Sequence, residues 1–366
     1  MGLYRRWQEW AWWQVGVGAV RSSRRYERLG GMFDDPNDMP LQIEFLLVPD
    51  FSMMAFASAV EPLSSANRLA DRILYVWRIL SIDGDPVTAS NGIEVSTSGS
   101  IASVERSRVT ILVAGLDVQY NEDERVSNFL RRVSRQGASI GALCAGSHLL
   151  ARAGLLENRR CTIHWENLGG FTEEFPEIEV SSDIYEVDRD RFTCSGGTAA
   201  LDMMLHLIGR QHGQKLANDI SEQFIHDRIR EPFDHQRMEL RTRLGVSHPK
   251  LISVISEMEA NLEEPLNQAE LALGAALSTR QLERLFRKYL GVTPTRYYLN
   301  LRLQRARQLL LQTTMSILSV ALACGFVSAS HFSKCYRECF GKTPRAERAV
   351  RHSSSTFERE DITVTV

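Results

Sequence analysis

LNQAELALGAALSTRQLERLFRKYLGVTP (266–294) and SILSVALACGFVSASHFSKCYRECFGKTP (316–344) read as one pattern written twice, fifty residues apart. Ser278/Ser328, Arg287/Arg337, Gly291/Gly341, Thr293/Thr343 and Pro294/Pro344 are identical at that offset. Leu282/Phe332, Arg284/Lys334, Leu285/Cys335 and Phe286/Tyr336 are conservative matches. The apolar matches recur at helical spacing, as a shared buried face requires. Each copy reads as helix, turn and basic helix. Two such units on one chain predict a reader of two neighbouring stretches of a double-stranded DNA groove.

Within the first copy, Asn267 and Glu270 have capping-box spacing, Gly274-Ala275-Ala276-Leu277 makes the turn, and Ser278 caps a helix over 279–290. That helix is expected to bury Leu282, Leu285, Phe286 and Tyr289. Its other face offers Arg280 and Arg284 to base edges, with Gln281 beside them, and Arg287 and Lys288 to phosphates. Glu283 suits a cytosine amino group or the positioning of an arginine. The second copy turns at Gly325 and caps at Ser328. It points Ser330, His331, Lys334 and Arg337 outward, and Phe332, Tyr336 and Phe340 inward. Being less basic, it leans on shape and phosphate contacts. TRYYLNLRLQRARQLLLQT (295–313) is an amphipathic helix that would hold the two heads at fixed separation.

Charge follows the same division. Residues 266–351 hold 14 Lys/Arg against 4 Asp/Glu, a balance of +10; the chain's net −2 leaves −12 elsewhere. An anionic partner is therefore expected for the C-terminal part only. A solvated basic surface is the alternative reading, and the repeat argues against it.

At 366 residues the chain exceeds one ordinary core, and 43% apolar with 24% charged residues is a common globular composition. From residue 41 the pattern alternates: strands at 43–48, 76–83, 109–115 and 138–143, helices at about 53–69 and 122–136, and a helix from Ala145 to Gly154. Paired strands at 184–188 and 191–195 and a helix to about 212 follow. This predicts a doubly wound, flavodoxin-like α/β domain over 41–212. Residues 213–248 read as a charged helical connector, 249–350 as an all-α domain with the two helix-turn-helix motifs, and 1–40 and 351–366 as a disordered extension and tail. The aromatic start (Met1–Val20) loosely mimics an export signal, but Gln8, Glu9 and Gln14 interrupt it and it is too short to span a bilayer. The six cysteines have no zinc spacing, so no metal is expected, and a reducing cytoplasm (with the nucleoid as its place there) is the expected location, without membrane attachment.

GALCAGSHLLARAGLLENRRCTIHW (141–165) places Cys144 between a strand and a helix, the geometry of a nucleophile elbow. The adjacent helix N-terminus is expected to lower the thiol pKa and to suit an anionic ligand group. His164 is the one plausible base; His148 should point away. Phe51, Phe56 and Met53, with Trp77 and Trp165, could line an aromatic cage for a quaternary ammonium, although Phe51, Phe56 and Met53 equally suit a core. Cys144, Ala145, Phe51, Phe56, Glu61, Trp77, His164 and Trp165 are thus the candidate ligand residues.

The C-terminal hundred residues, from LSTRQLERLFRKYLGVTP through GFVSASHFSKCYRECFGKTPRAER, resemble the DNA-binding domain of the AraC/XylS family of regulators. Ala275-Ala276 departs from the glycine often found in that turn. Residues 42–212 are similar to the class I glutamine-amidotransferase-like superfamily with its PfpI-type proteases, and the combination resembles an amidase-domain-like subgroup of AraC regulators. The resemblance implies a transcriptional activator without cofactor that contacts RNA polymerase, dimerises, and responds to a small amino-acid-like or quaternary-amine effector such as glycine betaine, carnitine or arginine. Two departures argue against catalysis: Ala145 stands where PfpI-type proteins commonly carry histidine, and Ser58 stands at the position nearest the superfamily's helix glutamate, with Glu61 three residues on. The alternative is a cysteine amidase or deglycase that carries a DNA-binding tail.

Overall fold

The computed structural model describes residues 40–121 and 123–353, so the expectations for the N-terminal extension and for the tail beyond 353 lie outside it. The described chain forms two compact units, one of residues to Leu168 with Phe175–Gln236, the other of Gly169–Glu174 with Arg237 onward. The connector expected over 213–248 therefore divides at Gln236.

The first unit begins with β1 (Leu41–Leu47), whose apolar run is buried on both faces and pairs in parallel with β2 (Tyr75–Ser81) and β6 (Val109–Val113). Continuous Val/Ile/Leu runs of this kind mark central parallel strands. Between β1 and β2 lies α1 (Met53–Leu69), capped by the Ser52 hydroxyl, which accepts from the Ala55 amide at 3.3 Å. A short hairpin, β3 (Val87–Thr88) with β4 (Glu94–Val95), precedes the edge strand β5 (Gly99–Ser100). Beyond β6 come α2 (Glu124–Arg135), β7 (Ser139–Leu143), α3 (Ser147–Arg152), β8 (Arg160–Thr162), α4 (Trp165–Glu174) and β9 (Glu179–Ser181). The antiparallel pair β10 (Tyr185–Asp188) and β11 (Arg191–Cys194) then leads to α5 (Ala199–His212) and α6 (Gln214–Gln223). The β8–β9 pair and α4 were not visible in the sequence, where short, mixed runs carry no clear period.

The main sheet has the order β10-β11-β7-β6-β1-β2-β5, and β1, β2, β6, β7 and β11 run parallel. This is the flavodoxin-like winding read from the sequence. The chain leaves β1 toward β2 on one side and β6 toward β7 on the other, so the topological switch lies between β1 and β6. Ligands of such sheets bind outside the carboxyl ends of the strands at that switch.

In the second unit α7 (Leu240–Leu244) and α8 (Pro249–Ala260) precede α9 (Gln268–Gly274), α10 (Thr279–Leu290), α11 (Pro294–Gln312), α12 (Ile317–Ala323), α13 (Ala329–Phe340) and α14 (Pro344–Ser353). One core gathers Leu251, Ile255, Leu271, Leu282, Phe286 and Tyr298; another gathers Leu303, Leu309, Val320, Phe326, Phe332 and Tyr336. The stretch 351–353, expected within the tail, continues α14 as helix.

Glu347 on α14 is 2% exposed and closes the second core. It accepts from the Tyr336 hydroxyl at 3.1 Å and pairs with Arg307 at 3.3 Å and Lys342 at 3.0 Å. Burial pushes its carboxyl up, but Lys342, Tyr336 and Arg307 together hold it below the usual glutamate range. The folded value lies below the unfolded one, so the stabilisation is present at neutral pH and is lost as pH falls through the lowered value. Glu347→Gln should therefore destabilise the protein by about 1–3 kcal/mol at pH 7. In thermal melts the gap to wild type should close in acid; a pH-independent gap would contradict the ionic role.

Candidate DNA interface and effector crevice

Both recognition helices begin at serine caps. The Ser278 hydroxyl accepts from the Gln281 amide at 3.2 Å while the Gln281 side chain accepts from the Ser278 amide at 2.8 Å. Gln281, counted with the DNA contacts from sequence, thus spends its side-chain oxygen on the cap. Arg280 and Arg284 are exposed and carry no partner among the described residues. Glu283 pairs with Arg287 at 3.0 Å, which is the arginine-positioning role of the two considered for it. Leu282 and Phe286 are fully buried, but Tyr289, expected inside, is 38% exposed and lies under the Lys288 ammonium at 5.0 Å from its ring centre. It sits in the last turn of α10, with the His248 ring 5.5 Å from its own.

In α13, Phe332 and Tyr336 are fully buried and Phe340 packs against the same core, while Ser330, His331, Lys334 and Arg337 are exposed. The His331 ring leans back on its own helix, with Nε2 3.4 Å from the Cys335 sulfur. Arg302, on α11, was not singled out in the sequence reading. It donates to the carbonyls of Cys324 (2.7 Å) and Gly325 (2.6 Å) and stacks 4.2 Å from the Phe326 ring centre. Carbonyls left over at the end of α12 are thereby satisfied.

The fifty-residue repeat holds for the recognition helices and not for the helices before them. The caps Asn267 and Ser316, and the ends Gly274 and Ala323, are matched at an offset of 49. So are the left-handed turn residues Ala276 (φ 51°) and Gly325 (φ 71°). Ala276 therefore takes the backbone conformation itself; Gly274 does not relieve it. A left-handed alanine costs about 1 kcal/mol relative to glycine. Ala276→Gly should raise stability by up to about 1 kcal/mol in denaturant titrations, with DNA affinity unchanged.

At the carboxyl ends of the first unit's sheet, Cys144 follows β7 with φ 61°, the strained turn expected of an elbow. A Cβ on Gly196 would lie 2.7 Å from the Cys144 Cβ, so the loop after β11 closes directly over it. Cys144 is 4% exposed. Burial, followed by the neighbouring Cys194 and Glu166, pushes its thiol up to about 12. This reverses the lowered pKa expected from sequence: α3 is six residues long and begins without a side-chain cap, and desolvation dominates. His164 joins the elbow through its backbone, donating to the Cys144 carbonyl at 3.3 Å, while its Nδ1 accepts from the Glu166 amide at 3.3 Å. Burial lowers the imidazole pKa, which favours the neutral ring. His148 stacks on Phe175 away from the elbow, as expected.

The aromatic cage does not assemble. Phe56 packs edge-on with both Phe51 and Phe45 in the core. Trp77 stands opposite Ile43, four residues before the carboxyl end of β1, roughly 13 Å down the strand. Glu61 is exposed well along α1. Cys144, Ala145, His164 and Trp165 do come together. What joins them is carboxylate, which the sequence reading missed because its members lie far apart in the chain, after β1, after β6 and in the first turn of α4. Asp117 is raised by burial and by the charge of Asp50, and Glu166 by burial and by Asp117. Asn167, buried beside Glu166, ties this corner by donating to the Leu116 carbonyl at 2.8 Å. Gly115 brings the two switch loops into contact: a Cβ there would meet the Asp50 carbonyl oxygen at 1.9 Å.

Residues 46–210 match the DJ-1/PfpI family and residues 271–349 a helix-turn-helix domain. The chain is 51% identical over 312 residues to the HTH-type transcriptional regulator GbdR of Pseudomonas aeruginosa, covering 85% of each. It is 48% identical to CdhR of the same species over 84% of this chain and 91% of that one, and 42% identical to its ArgR over 87% and 96%. The chain belongs to the AraC-type transcriptional regulators that carry a DJ-1/PfpI domain. It is a DNA-binding regulator of transcription.

Arg284→Ala should relax preference at one operator position and cost about 1–3 kcal/mol. Lys288→Ala should instead weaken all sequences alike and flatten the salt dependence. Binding titrations on operator variants separate the two outcomes.

Proposed function

We propose that this regulator is an effector-gated activator whose ligand is a small amine carrying permanent positive charge, with glycine betaine the leading candidate. The observation that supports this most is electrostatic: Asp50, Asp117 and Glu166 crowd the switch beside Cys144, and burial first, then the repulsion of a neighbouring carboxylate, raises Asp117 and Glu166. A bound cation relieves that repulsion, so ligand affinity draws on a cost already present in the free protein. The repulsion is strongest when the carboxyls are ionised, so binding weakens as pH falls through their raised values.

The same crevice is poor at covalent chemistry. A thiol raised to about 12 stays protonated at neutral pH, and the His164 ring nitrogen nearest its own helix is occupied. We therefore read the elbow as a ligand-binding relic and the protein as a non-enzyme.

The segment leading to the second unit supports regulation through this crevice. Arg230 clasps the fully buried Asp202 at 2.7 Å and the Thr198 hydroxyl at 2.7 Å. The Gln236 amide donates to Asp183 O (2.8 Å), Thr162 Oγ1 (2.9 Å) and Ile163 O (3.1 Å). Thr198 follows the glycines over Cys144, and Ile163 precedes His164, so both loops flanking the thiol are bonded to the chain just before Arg237. Homodimerisation, RNA polymerase contact and a cytoplasmic, nucleoid-associated location complete the reading. The habit of the family supports these parts of the proposal.

Thermal shift with glycine betaine, carnitine, choline, dimethylglycine and arginine tests the effector. At a hundredfold excess over Kd a true ligand stabilises by about 2.7 kcal/mol, a rise of several degrees in Tm. Asp117→Asn should weaken that ligand about tenfold while leaving operator binding without ligand intact. An unchanged Kd in this variant, or thiol-dependent amide hydrolysis abolished by Cys144→Ser, would overturn the proposal.

A further inference from the structure

The change of offset from 49 to 50 means that the second helix-turn-helix holds one residue more than the first. The anchors correspond: the Leu277 amide donates to Ala272 O at 2.9 Å, and the Phe326 amide donates to Ala321 O at 2.9 Å. In the first motif the cap Ser278 follows its anchor directly; in the second, Val327 stands between Phe326 and the cap Ser328. The extra residue is therefore Val327. It is 92% exposed, the most exposed of the large apolar side chains described.

Nothing in the packing requires a valine there. Phe326 is 2% exposed and supplies the apolar anchor, stacking on Phe332 at 5.1 Å. Nor is the turn slack. The clamp of Arg302 on the Cys324 and Gly325 carbonyls and on the Phe326 ring holds the residue before Val327, and the Ser328 hydroxyl, accepting from the His331 amide at 3.2 Å, holds the residue after it. Val327 is thus projected from a rigid frame at the residue preceding the N-cap of α13. The N-terminal end of a recognition helix is the end that enters the major groove.

A branched hydrocarbon at that position can neither donate nor accept a hydrogen bond. The major groove offers one apolar group, the C5 methyl of thymine. We propose that Val327 is a specificity-determining residue that reads a thymine through its methyl group, at the edge of the segment contacted by Ser330, His331 and Lys334. The first motif has no counterpart to this residue.

The test uses the full-length protein and a duplex selected from a random pool by binding to it, with each thymine replaced in turn by deoxyuridine, which removes only the methyl. One position should weaken wild-type binding about threefold to tenfold, the scale of one or two buried methyl groups. Val327→Ser should lose the same factor on the unmodified duplex and be indifferent to deoxyuridine at that one position, while responding like wild type at all others. Because the side chain is exposed, the variant's Tm should be unchanged. Losses that simply multiply at every thymine would overturn the assignment, as would unaltered affinity of Val327→Ser. A lowered Tm would also overturn it, by showing that the valine packs within the protein.

Discussion

Helix α11 buries a different stretch of itself in each of two cores, and the DNA-reading geometry depends on that shared burial. Tyr298 joins the core under α10, while Leu303, Ala306, Leu309 and Leu310 join the core under α13. A single helix thereby helps to set the spacing of both recognition elements. Arg280 and Arg284 of α10 then stay exposed, since the apolar face of that helix is already satisfied by Leu282 and Phe286.

Burial decides the chemistry of the other unit as well. The elbow at Cys144 keeps the strained backbone of a nucleophile site, but desolvation outweighs whatever a six-residue helix terminus supplies, and the thiol is held protonated. Carboxylates gather where a catalytic thiol would need cationic neighbours.

Much of this was legible in the residues. Serine caps, the Asn267–Glu270 box and the 3.6-residue recurrence of Leu282, Phe286, Phe332 and Tyr336 are local signals, and the helices they predict are present. Apolar runs of five to seven residues marked β1, β6 and β7 for the same reason. The aromatic cage failed because residue type alone does not say whether a phenylalanine faces a ligand or another phenylalanine; Phe51 and Phe56 face each other. The role of Arg302 was not legible because its acceptors, two backbone carbonyls, have no signature in sequence.

Periodicity and capping between near neighbours were enough to read the two-part architecture, the winding of the sheet and the candidate recognition helices from the residues. Where the second turn takes up its extra residue, which carboxylates converge beside Cys144 and how deeply its thiol is buried emerge in three dimensions alone. Those outcomes depend on which distant loops meet and how much water they exclude, and neither quantity is written in the spacing of residues along the chain.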